Sequence, residues 1–132
     1  TSTIKALKKL NIKKISIFTP YTKKINDSVI NYFKKENISV NSLTYFDIAS
    51  DLDIGKVDED HLFEVLSKID LKDSDALFVS CTALPVLSII DELEKKLNKI
   101  VLSSNQTLIW DALRLIGNNE PVVGFGKIFE VN

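Results

Sequence analysis

The sequence predicts an α/β fold with a four-stranded parallel sheet and helices on both faces. Short apolar runs suited to strands alternate along the chain with longer stretches in which apolar residues recur at helical spacing. The run at 76–79, Ala-Leu-Phe-Val, is continuously apolar, as is typical of strands buried on both faces of a parallel sheet. Stop signals at Pro20 and Asn37 separate the first elements. Such an alternation implies right-handed crossovers between parallel strands.

The first half of the chain reads as helix, strand, helix and strand. Hydroxyl residues at positions 1–3 can cap a first helix with apolar residues at Ile4, Leu7 and Leu10. A strand at 15–18, a helix at 26–35 and a strand at 38–46 follow. The inner face of the second helix is predicted to consist of Ile25, Val29, Tyr32 and Phe33. Because a doubly wound domain normally opens on a strand, we expect that a segment precedes Thr1.

The second half continues with a polar loop at 47–56 and three further helices. They are predicted at 58–70, at 84–98 with Pro85 in the first turn, and after the polar residues 103–105, with strands at 76–79 and 99–102 between them. The last helix is predicted to turn Ile109, Ala112, Leu113 and Ile116 inward, which leaves Leu108, Trp110 and Leu115 off that face. This surplus predicts docking against another lobe or subunit, and a homo-oligomer.

Composition excludes several classes of function. At 132 residues, with 45% hydrophobic residues and a net charge of −1, the chain fits one globular domain and offers no basic stripe for nucleic acid. The apolar runs are too short to span a membrane, and the N-terminus lacks a signal-peptide pattern, so we expect a cytoplasmic protein. With a single cysteine and a single histidine, His61, standing apart in sequence, no metal site is expected.

Cys81, the single cysteine, lies between the apolar strand and the helix predicted at 84–98. Unpaired N–H groups and the dipole at the start of a helix favour the reactive thiolate. Ligands of open parallel sheets bind just beyond the carboxyl ends of the strands. Position is compatible with a nucleophile and with a structural thiol about equally, whereas residue type alone favours a buried structural thiol.

Other polar groups are predicted at the same edge of the sheet. Tyr21 follows the first strand, and Ser104 and Asn105 follow the fourth. The backbone N–H groups of Thr82 and Ala83 can hold a carboxylate without any basic side chain. We therefore predict a site for a small anionic substrate.

Several motifs in this order carry a family resemblance. They are Val79-Ser80-Cys81-Thr82-Ala83-Leu84, Thr19-Pro20-Tyr21, Ser103-Ser104-Asn105-Gln106, the helix end at 112–117 and Gly124-Phe125-Gly126-Lys127. Together they resemble the C-terminal half of the maleate isomerase and arylmalonate decarboxylase branch of the Asp/Glu racemase superfamily. The resemblance implies that residues 1–132 form one Rossmann-like or flavodoxin-like lobe of a pseudo-symmetric, two-lobe enzyme, with the N-terminal lobe absent from this chain.

The resemblance also implies a chemistry without a cofactor. Racemases and maleate isomerase of this group take one cysteine from each lobe; maleate isomerase adds a thiolate to the double bond, and the decarboxylase protonates an enediolate with the C-terminal cysteine alone. Cys81 matches that cysteine, Tyr21 the tyrosine that binds a carboxylate, and Thr82 a residue whose N–H helps to hold it. Asp51 stands where maleate isomerases place a substrate-binding asparagine, and its charge would repel a dicarboxylate.

Three interpretations of function remain. The first is a cysteine-based isomerase or racemase acting on a small carboxylate, with this chain inactive alone because it contains one cysteine. The second is a decarboxylase-like lyase that uses Cys81 alone, and the third is a non-catalytic domain that binds small carboxylates. Receiver, P-loop and dinucleotide-binding patterns are absent from the sequence.

Overall fold

The computed structural model describes residues 1–131 and contains one parallel four-stranded sheet. The strands are β1 Lys14–Thr19, β2 Ser39–Tyr45, β3 Ala76–Val79 and β4 Ile100–Ser103, in the order β2-β1-β3-β4. The helices are α1 Ser2–Lys9, α2 Lys23–Lys35, α3 Asp51–Ile54, α4 Glu59–Ser67, α5 Ile90–Leu97 and α6 Ser104–Leu115. Short 3₁₀ turns lie at Leu87–Ile89 and Lys127–Glu130.

Helices cover both faces of the sheet, which confirms the predicted fold class. On one face, α1, α2 and α6 bury Ile4, Leu7, Phe33 and Trp110 against β1 and β3. On the other face, α4 and α5 bury Leu62, Leu66, Ile90 and Leu93. The central strand β3 is buried at every position, as its continuous apolar run predicts. The two cores pack against the strands from both faces of the sheet.

The inner face of α2 differs from the prediction. Ile25 is 47% exposed, whereas Asn26 is buried together with Phe33. The helix begins at Lys23, and its first turn presents Asn26 to the end of β1, where Thr19 supplies a hydrogen-bond partner. A buried amide is tolerated there because its polar atoms are bonded.

The face that α6 presents to the sheet was also predicted wrongly. Its buried residues are Gln106, Thr107 and Trp110, while Ile109 and Ile116 are exposed by 42% and 78%. The helix begins with a capping box, in which the Ser103 hydroxyl accepts the Gln106 N–H and the Gln106 side chain accepts the Ser103 N–H. This cap sets the rotation of the helix and buries two polar side chains whose hydrogen bonds are satisfied.

Two further segments depart from expectation. The loop predicted at 47–56 contains the short helix α3, which buries Ile54 in the core on the α4 side of the sheet. The predicted helix at 84–98 begins instead at Ile90, after a 3₁₀ turn. Throughout residues 1–131, no helix has the length and apolar character needed to cross a membrane.

Candidate active site

Cys81 lies two residues beyond the end of β3, in an irregular loop at 80–86. Because the following helix starts only at Ile90, the thiol does not lie at a helix N-terminus, and the dipole argument from the sequence is wrong. Leu84 and Val86 on the same loop are buried, and the Val86 N–H donates to the Leu84 carbonyl at 2.9 Å. Pro85 disfavours helical backbone at Leu84. These contacts explain why the helix is delayed.

The Cys81 side chain is 4% exposed and lies just below the surface of the loop. The residues that follow it, Thr82 and Ala83, are exposed. The Ala83 N–H donates to the Cys81 sulfur at 3.3 Å. A backbone donor at this distance stabilises negative charge on the sulfur. The turn of the loop, and not a helix, thus directs a backbone N–H to the sulfur.

Tyr21 lies beside Cys81. Burial raises the pKa of Tyr21 well above its usual range, as do the neighbouring Cys81 and Asp51 side chains, and the Ser80 hydroxyl opposes this rise. The phenol therefore stays protonated at neutral pH and is a donor. The charge of Asp51, on α3, thus acts on the same phenol.

Asn105 contacts the same loop from the neighbouring strand end. Its side-chain amide donates to the Thr82 carbonyl at 2.9 Å. The Ala83 N–H, predicted to hold a carboxylate, is directed to the sulfur instead. Both contacts fix the loop around Cys81.

The sequence did not single out Ser80, Thr19 or Asn26. The Ser80 hydroxyl lowers the pKa of Tyr21, and Ser80 and Ser104 also line an open, largely apolar groove of about 380 Å³ on the side of α1 and α2. Thr19 and Asn26 are buried polar residues beneath Tyr21. A hydroxyl at the last position of a strand is the only sequence signal for this pair.

Nothing within residues 1–131 brings together three or more histidine, cysteine, aspartate or glutamate side chains that could hold a metal ion. His61 is exposed on α4, and its ring stacks on Phe46 with the centroids 5.9 Å apart. The chemical groups of the site are thus a thiol, a phenol, hydroxyls, a carboxylate and backbone amides. This set can supply a nucleophile or a proton donor, and donors to an anion.

The fold and these groups define a class of protein, the α/β lobe with a cysteine at the carboxyl edge of its sheet. Residues 1–129 match the model of the arylmalonate decarboxylase family, and the chain belongs to that family.

The curated relatives include a maleate isomerase and an arylmalonate decarboxylase. The chain is 27% identical over 126 residues to a maleate isomerase of Geobacillus stearothermophilus, covering 95% of this chain and 50% of the relative. It is 26% identical over 133 residues to an arylmalonate decarboxylase of Bordetella bronchiseptica, covering 98% of this chain and 55% of the relative. The chain thus spans about half the length of the curated relatives it matches.

Solved structures share the fold over the same extent. The crystal structure of the maleate isomerase Iso from Pseudomonas putida S16 matches 98% of this chain and 52% of its own, with a TM-score of 0.93 and 25% identity. A cysteine-to-serine mutant of the Nocardia farcinica maleate cis-trans isomerase, which carries a covalently bound succinylcysteine intermediate, matches with a TM-score of 0.90 and 20% identity, covering 98% and 53%. The second likeness concerns the fold alone.

Proposed function

We propose that this chain is the lobe that supplies Cys81 to a cofactor-independent isomerase or racemase acting on a small carboxylate. The observation that carries the proposal is the 3.3 Å contact of the Cys81 sulfur with the Ala83 N–H, in a cluster against which Tyr21 packs. The backbone N–H is a donor to negative charge on the sulfur, and the protonated Tyr21 phenol can bind a substrate carboxylate. Family membership supports this assignment, because relatives include maleate isomerases.

For an isomerase the proposed sequence of steps is short. The Cys81 thiolate adds to one alkene carbon, forming a C–S bond, and the π electrons move toward the carboxylate on the other carbon. Rotation about the resulting single bond and loss of the thiolate give the trans product, with no net proton or electron change. Tyr21 and the exposed backbone around Thr82 bind the carboxylate. The succinylcysteine described for the Nocardia protein is the kind of adduct that such a thiolate forms.

A second lobe is part of the proposal. The chain spans about half of its relatives, and we propose that it corresponds to their C-terminal half. Large apolar side chains on and after α6 are exposed, namely Leu108, Ile109, Leu115, Ile116, Val123 and Phe125. This surface supports docking against another lobe or subunit. The isolated chain, with one cysteine, is then expected to be inactive in two-cysteine chemistry.

A decarboxylase is the second candidate. The family match is to arylmalonate decarboxylase, and the chain contains one cysteine, which suffices for a proton donor. In this case the Cys81 thiol delivers a proton to the carbanion left by loss of CO₂. A non-catalytic carboxylate-binding domain is favoured by one observation, the 4% exposure of the thiol.

Proton NMR in D₂O separates these functions. For this test the chain is expressed with an affinity tag in its source cells, and the complex that it forms there is isolated through the tag. This complex is called the tagged assembly below. Maleate, a phenylmalonate and a chiral amino acid are offered as probes. Fumarate from maleate or deuterium at the amino-acid α-carbon supports the proposal, whereas loss of CO₂ from phenylmalonate alone supports the decarboxylase. If none of the three probes reacts, the result contradicts both proposed activities.

Replacing Asp51 with asparagine is expected to improve binding of a dicarboxylate. Asp51 is exposed on α3, and its negative charge reaches Tyr21. Removing one charge a few ångströms from a dianion relieves about 1 kcal/mol, so KM for maleate should fall about fivefold with little change in kcat. Asp53→Asn, two residues along the same short helix, is the matched control. An equal fall of KM in both variants would show a general surface-charge effect instead.

A further inference from the structure

A buried polar pair lies beneath Tyr21. Thr19 is the last residue of β1 and is 0% exposed, and Asn26 is on the first turn of α2 and is 2% exposed. Buried hydroxyl and amide groups destabilise a fold unless they are hydrogen-bonded. The partners of this pair therefore indicate what it does.

The pair bonds both backbone polar groups of Tyr21. The Thr19 hydroxyl donates to the side-chain oxygen of Asn26 and accepts the Tyr21 N–H at 3.3 Å. The Asn26 side-chain nitrogen donates to the Tyr21 carbonyl at 3.3 Å. Thr19, Asn26 and the Tyr21 backbone thus close a small ring of hydrogen bonds. An apolar residue at either position would leave part of this ring unpaired.

The backbone at 19–21 is also held by hydrogen bonds from the segment that follows β2. The Phe46 N–H donates to the Thr19 carbonyl at 3.1 Å, and the Ile48 N–H donates to the Pro20 carbonyl at 2.7 Å. The backbone that carries Tyr21 is therefore fixed on two sides, and the phenol has only its own side-chain torsions. A donor that must meet a sulfur atom depends on such fixed geometry.

We propose that Thr19 and Asn26 are positioning residues that fix the Tyr21 backbone and so place its phenol in the cluster that contains Cys81. The inference rests on the proposed function for its catalytic meaning, because Tyr21 and Cys81 are the proposed reacting pair. Neither residue reaches the thiol; each acts through the Tyr21 backbone. Loss of the pair lets the phenol move, which changes the polar surroundings of the thiol.

The test is a double-mutant cycle between Thr19→Val and Tyr21→Phe. Valine keeps the shape of threonine and removes the hydroxyl. The first readout is the rate at which iodoacetamide alkylates Cys81 in the folded chain at pH 7, and the second is kcat and KM of the tagged assembly. Thr19→Ser restores the hydroxyl and serves as the rescue variant. Ser16→Ala is the matched control, because Ser16 is a buried hydroxyl on the same strand that bonds Ser74 and Ser42 instead.

We expect Thr19→Val to slow alkylation about fivefold in the otherwise unchanged chain and to have almost no effect once Tyr21 is phenylalanine. Thr19→Ser and Ser16→Ala should keep the unchanged rate. In the tagged assembly Thr19→Val should lower kcat more than it raises KM. Equal slowing with and without Tyr21, or equal slowing by Ser16→Ala, would show a merely structural role and overturn the inference.

A second variant covers the case in which Thr19→Val does not fold. Asn26→Asp keeps the shape and the acceptor for Thr19 but replaces the donor to the Tyr21 carbonyl with an oxygen. It should slow alkylation in the same Tyr21-dependent manner. Because alkylation needs no turnover, coupling of rates in a tagged assembly without activity would sink the proposed function and leave the positioning role standing. Turnover of the tagged assembly without coupling between the Thr19 and Tyr21 variants would overturn the positioning role and leave the proposed function standing.

Discussion

Replacing Cys81 with serine should abolish turnover of the tagged assembly, lowering kcat by about a thousandfold or more. Serine matches cysteine in size, and the Ala83 N–H that contacts the sulfur at 3.3 Å remains in place. A hydroxyl, however, is not ionised at neutral pH and is a poor nucleophile without a base. The measurement is kcat and KM for the best probe found by NMR. KM should change little, since the proposed ligands of the carboxylate are Tyr21 and the backbone.

A control must show that the loss comes from the thiol itself. Cys81 packs in the core cluster that contains Leu84 and Val86, so serine is expected to destabilise the fold by only about 1 kcal/mol. Circular dichroism and urea denaturation of the variant check this. Thr82→Ser, on the neighbouring exposed residue, should leave kcat within about twofold. If the Cys81 variant turned over at the unchanged rate, the nucleophile would have to be sought elsewhere.

Replacing Gly126 with alanine is expected to destabilise the fold by about 3 kcal/mol. Gly126 has φ 90° and ψ 165°, a backbone region that is essentially restricted to glycine. A Cβ atom there would lie 2.5 Å from the Gln106 side-chain nitrogen and 2.6 Å from a methyl carbon of Ile90. Strain and overpacking each contribute about 1 to 3 kcal/mol. Urea denaturation at constant pH measures the difference in the free energy of unfolding.

The same substitution should also disturb the site. The Gln106 side chain belongs to the capping box at Ser103 and donates to the Phe125 carbonyl at 2.7 Å. Pushing it aside loosens the start of α6, from which Asn105 holds the loop around Cys81. Gly124→Ala is the matched control, because Gly124 has φ 96° but nothing within 4 Å of an added Cβ atom. It should cost about 1 kcal/mol. Equal costs for both variants would mean that the clash is relieved by side-chain movement.

Most of the architecture could be predicted from the sequence, because it depends on local patterns. The continuous apolar run of β3 and the helical spacing of Leu62 and Leu66 give element type directly. The face that α6 turns to the sheet could not be predicted, because Gln106 and Thr107 are buried through hydrogen bonds, which a hydrophobicity pattern does not show. The delayed start of α5 likewise depends on burial of Leu84 and Val86, which is tertiary information.

The candidate site divides in the same way. The arrangement of Cys81 and Tyr21 at one edge follows from the position of each at a strand end, which the sequence shows. The ring formed by Thr19 and Asn26 does not, because it joins a strand end to the first turn of a helix through two side chains and a backbone. The direction of the Ala83 N–H depends on the turn of one loop.

The strand order β2-β1-β3-β4 has one more consequence. The chain leaves β1 toward the layer that contains α2, and it leaves the adjacent β3 toward the opposite layer, which contains α5. The two connections therefore diverge, and in open α/β sheets a crevice for ligands forms where connections diverge in this way. Either connection can lengthen or change composition without altering strand pairing, so new substrate preferences can evolve at this crevice while the scaffold stays intact.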